Sequence, residues 1–202
     1  MNTARLEAFS DGVLAIIITI MVLELRAPHS AEWSALRPLV PALLSYLLSF
    51  VYIGIYWNNH HHLLHATERV TGGILWANLH LLFWLSLVPA ITAWMGENRF
   101  ASVPMAVYGM VLLLAGIAYS ILQRTIVATQ GPGSVLAAAI GRDWKGKASP
   151  VLYAVAIPLA FVHPALAGAL YVSVALIWLA PDPRIERILV TEQGVRTTRA
   201  SS

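Results

Sequence analysis

Six apolar stretches alternate with polar or helix-breaking residues along the chain. The first runs from about Leu6 to Leu25 and stops at Arg26, Pro28, His29 and Ser30. The second runs from about Leu39 to Leu64, with an aromatic end at Tyr52, Tyr56 and Trp57. The third covers about Gly73 to Met95 and the fourth about Pro104 to Leu122. A polar loop follows, with Arg124, Gly131-Pro132-Gly133, Arg142, Asp143, Lys145 and Lys147. The last block, Val151 to Ala180, exceeds the roughly 20 residues of one crossing. His163-Pro164 divides it, which predicts a tight hairpin of two short helices. The pattern predicts an all-α, polytopic membrane protein with six transmembrane helices over residues 1–180. A polar tail occupies 181–202, frayed at its end.

Composition agrees with that pattern. Of the 202 residues, 58% are apolar and only 11% charged, with a mean hydropathy of +0.69. A soluble domain carries about 25% charged residues. There are no cysteines, so disulfides and thiolate metal sites are excluded. A net charge of +3, scattered along the chain, gives no reason to expect nucleic acid as a partner. The first stretch is read as a retained transmembrane helix rather than a signal peptide. Glu7 and Asp11 stand where a signal peptide carries positive charge, and no small-x-small cleavage site follows Leu25.

Charge bias sets the orientation. With six spans and a cytoplasmic N-terminus, only Arg26, Arg37 and Arg99 of the 13 basic residues fall outside. Five spans would move the four arginines of the tail outside and erase the bias. Both termini are therefore expected in the cytoplasm of a multi-pass protein of the cell membrane.

Within the first helix, Ile16, Ile20 and Leu23 share one stripe, with Thr19 on its flank. Such a stripe either packs against another helix or lipid, or, in an assembly of several copies, forms apolar rings around a pore. Before it stand Arg5, Phe9, Ser10, Asp11 and Gly12. Ser10 or Asp11 would cap a helix starting there. A start near Thr3 instead puts Asp11 mid-helix, where a carboxylate needs a partner. Arg5 lies on a different face from Asp11, so their pairing would have to be tertiary.

The second stretch ends Trp57-Asn58-Asn59-His60-His61-His62-Leu63-Leu64-His65. His61 and His65 have the i, i+4 spacing of a zinc pair, but no carboxylate lies within the cluster. Hydrogen bonding or packing accounts for these histidines better, and no metal or catalytic site is assigned. Asn78 in the third stretch is a cross-helix hydrogen-bonding residue, with Asp11, Ser10 or His60 as candidate partners. Phosphate-loop, nucleophile-elbow and carbonyl-filter motifs are absent from the sequence.

Three motifs in order resemble the transmembrane protein 175 family of potassium channels. They are Arg5-x-x-x-Phe9-Ser10-Asp11-Gly12 with its Ala15, Ile16, Thr19, Val22 and Glu24 continuation, Trp57-x-x-His60-His61, and Asn78-Leu79 with Ser86-Leu87-x-Pro89. The resemblance covers residues 5 to about 97; the last three helices add only length and hydropathy. It implies a potassium-permeable cation channel, a homotetramer in the lipid bilayer with a pore lined by the first helix. Ile16, Ile20 and Leu23 would form the constriction, with Thr19 a hydroxyl layer. Arg5, Phe9, Ser10, Asp11, Trp57, His60, His61 and Asn78 would form the polar network that holds this helix. The resemblance implies no catalytic role and no cofactor beyond the permeant potassium ions. Asn58, Asn59 and His62 fall outside the family pattern. The reading from another class is a proton-coupled secondary transporter that titrates Asp11 and the second-helix histidines. A membrane enzyme with a metal on His60 to His65 is a third.

Overall fold

The computed structural model describes residues 2–131 and 144–179, and every described regular element is helical. Helix α1 spans Thr3–Leu23, capped by the Asn2 side chain, which accepts from the Ala4 N–H at 3.2 Å. Asp11 is therefore mid-helix, and neither Ser10 nor Asp11 is a cap. A short 3-10 helix, Trp33–Leu39, leads into α2, Val40–His65.

The third apolar stretch is two helices, α3 (Gly72–Ser86) and α4 (Val88–Glu97), rather than one. Pro89 removes a backbone donor one turn after Leu85, and the chain bends at Leu87. Together they form one stretch long and apolar enough to cross a membrane. Helix α5, Ser102–Gln130, runs a full two turns beyond the expected end at Leu122, so Arg124 is helical rather than in a loop. It ends at Gly131, whose φ of 92° suits glycine. The last block is α6 (Trp144–Val162) and α7 (Pro164–Leu179), broken at His163 as expected. Helix α6 starts seven residues before Val151. The remainder of the polar loop and the tail from 181 lie outside the described residues.

Four stretches have the length and hydropathy to cross a membrane, and α7 is a shorter apolar helix. Helix α1 packs on α2, α3 and α4 at one side of the bundle, while α5, α6 and α7 form the other. Two cores follow. One joins Leu14, Ile17 and Met21 to Leu81, Leu85 and Ala115. The other gathers Tyr52, Tyr108, Tyr153 and Tyr171. There the Tyr52 hydroxyl donates to the Tyr171 carbonyl at 2.6 Å and the Tyr171 hydroxyl to that of Met105 at 2.9 Å. Hydroxyl-to-carbonyl bonds of this kind satisfy buried polar groups without charge.

Candidate functional site

Helix α1 has two chemically different sides. Leu6, Ser10, Leu14, Ile17 and Met21 recur every three or four residues and are buried against the bundle. Ile16, Ile20 and Leu23 lie on the opposite side and are 58%, 43% and 80% exposed. Seven residues separate the first from the last, so the stripe is about 10 Å tall. Thr19 is exposed beside it and donates its hydroxyl to the Ile16 carbonyl at 2.8 Å. That bond engages the hydroxyl hydrogen and leaves the oxygen free to accept. Phe9 and Arg5 continue the same exposed side toward the N-terminus.

A directional hydrogen-bond chain pins the buried side. The Ser10 hydroxyl donates to the Leu6 carbonyl at 2.9 Å, and the Asn78 amide donates to the Ser10 oxygen at 3.0 Å. His60 Nε2 lies 2.6 Å from Asn78 Oδ1. A carbonyl oxygen only accepts, so the His60 proton sits on Nε2. His60, Asn78 and Ser10 are all buried, and His60 Nδ1 has no hydrogen-bond partner among the described residues. Of the three partners open to Asn78, the structure joins it to Ser10 and His60, not to Asp11.

Asp11 joins a separate cluster with α2. Its Oδ1 accepts from Trp57 Nε1 at 3.0 Å. One turn earlier, Glu7 Oε1 is 2.6 Å from His61 Nδ1, and the Trp57 and His61 rings stack. Sequence reading missed Glu7, although its spacing of four from Asp11 places both carboxylates on one face. Arg5 and Phe9 are not drawn into either cluster within the chain; both are exposed and Arg5 has no ion pair among the described residues. His65 stacks on His61. Among the described residues, no three His, Cys, Asp or Glu side chains are grouped to hold a metal ion.

Residues 5–89 match the family described as endosomal/lysosomal potassium channel TMEM175. That range takes in α1, α2 and α3, where both polar clusters lie. A protein of Chryseobacterium sp., named a potassium channel, is 53% identical over 189 residues, 94% of this chain and 98% of its own. A Streptomyces collinus protein, also named a potassium channel, is 36% identical and matches 60% of this chain and 63% of its own. The crystal structure of a lysosomal potassium-selective channel TMEM175 homolog from Chamaesiphon minutus is similar with a TM-score of 0.78 at 31% identity. That match covers 88% of this chain and 96% of the other.

Proposed function

The chain belongs to the TMEM175 family, and on that footing we propose that it is a membrane channel passing potassium down its gradient through a pore lined by α1. The observation that carries this reading is the two-sided α1. One side is locked to α2 and α3 by buried polar groups, while the other leaves the large apolar side chains of Ile16, Ile20 and Leu23 exposed. Four copies around an axis turn each position into a ring and enclose a sleeve about 10 Å tall.

An apolar ring offers an ion nothing in exchange for its hydration water. The barrier therefore follows the cost of dehydration and the radius of the ring. Potassium holds its water less tightly than sodium and crosses at lower cost. The Thr19 hydroxyl oxygens add a layer of oxygen dipoles beside the sleeve. Ser10, Asn78 and His60, with Asp11, Glu7, Trp57 and His61, fix the rotation of α1 so that the stripe faces the axis. In this arrangement Arg5 lies on the axial side. The charge bias of the loops supports an orientation with both ends of the chain in the cytoplasm.

The test is potassium efflux from liposomes holding the purified protein. Rapid efflux down the gradient without proton counter-coupling is expected. Slow, saturable uptake that follows a proton gradient would overturn the reading in favour of a transporter.

A further inference from the structure

Two polar side chains within the membrane-capable stretches find no complete set of partners inside the chain. Asn58 is exposed on α2, and its amide makes no hydrogen bond among the described residues. His80 is exposed on α3, where its Nε2 accepts from Trp84 Nε1 at 3.0 Å. An accepting Nε2 in a neutral ring puts the proton on Nδ1, leaving an unengaged donor. Lipid tails satisfy neither group, so both call for protein cover.

Their depths coincide. The His60–Asn78 bond sets the register of α2 against α3, which run in opposite directions. Asn58 lies two residues before His60, and His80 two residues after Asn78. Both steps lead the same way along the membrane normal by about 3 Å. Each lies about 160° round its helix from the bonded pair, so the two occupy faces turned away from each other. Asn58 shares the outer flank of α2 with exposed Leu47, whereas His80 shares the outer flank of α3 with Trp76 and Phe83, 75% and 55% exposed. Helix α1 packs on both α2 and α3.

We propose that the Asn58 side chain of each copy accepts a hydrogen bond from His80 Nδ1 of the next, so that the α2 flank of one packs on the α3 flank of its neighbour. This rests on the tetrameric channel reading above. Rotation about the membrane normal preserves depth. In a closed ring of identical wedges, the groups that meet are those at equal depth on opposite flanks. A donor on one flank then faces an acceptor on the other. Trp76 and Phe83, one turn to either side of His80, shield that bond from lipid as large apolar residues do at interface centres.

The chain has no cysteine, so introduced pairs read the interface without background. In the double variant Asn58→Cys with His80→Cys, oxidation of the purified protein is expected to give a ladder of two, three and four linked chains. Each single variant gives none, because like flanks do not meet. An assembly of four copies by light scattering that conducts potassium yet forms no ladder would overturn the proposed interface and leave the channel reading standing. A wild-type mass other than four copies would overturn the tetramer itself. Leucine variants give a second reading. Asn58→Leu and His80→Leu should each shift the tetramer-to-monomer midpoint in detergent by roughly three-fold, and the double variant no further. Additive shifts would contradict the pairing.

Discussion

Asn78 is bonded at both ends of its amide, to Ser10 on α1 and His60 on α2, and thus ties three helices with one side chain. Asn78→Leu leaves His60 buried with neither nitrogen satisfied. It should cost about 1–3 kcal/mol, read as a lower thermal midpoint in detergent. Ser10→Ala keeps the His60 bond and should cost less. Equal losses in the two variants would argue against the chain of bonds. Thr19 plays a different part on the other side of the same helix. Its hydroxyl hydrogen is held by the Ile16 carbonyl, so its oxygen is left as an acceptor. Thr19→Ala should lower the potassium-to-sodium permeability ratio while the protein folds and assembles as before. An unchanged ratio in bi-ionic recordings would remove Thr19 from selectivity.

Along one element, neighbouring residues have opposite surroundings. Ile17 is buried in the core and Ile16, one position earlier, is exposed. Ile17→Ala should destabilise by about 2–5 kcal/mol with the unitary current of folded channels retained. Ile16→Ala should leave the thermal midpoint nearly unchanged, widen the sleeve, raise the unitary current and weaken selectivity. Which face α1 buries was not legible in its sequence, because isoleucine, leucine and valine surround the helix on all sides. Ser10 was the only polar mark on the inward face. Its pairing with Asn78 became visible only once α3 was placed beside it. Helix contact also explains Gly109, which sits inside an apolar run with no turn to make. A Cβ there would overlap the Tyr171 hydroxyl and sit 3.1 Å from Ile157. Gly109→Ala should therefore cost about 1–3 kcal/mol in thermal stability by pushing α7 from α5.

At the scale of the whole molecule, hydropathy blocks and the His163-Pro164 break were enough to read the helical spans. The bend at Leu87 and the extension of α5 to Gln130 were not. A proline at the second position of a helix reads alike at a kink and at a new start. Polar residues such as Arg124 and Gln130 continue a helix wherever it leaves the apolar layer. The three family motifs lie far apart in sequence, yet Ser10, His60 and Asn78 converge at one depth. A single chain leaves one side of α1 exposed, and in the proposed tetramer this side lines the ion path. The most direct measurement is block of a Leu23→Cys channel by a charged, water-soluble thiol reagent added from outside the bilayer. Potassium current should fall on modification and return on reduction, because Leu23 is the outermost and most exposed residue of the stripe. A Leu23→Cys channel whose current is unaffected by the reagent would contradict it.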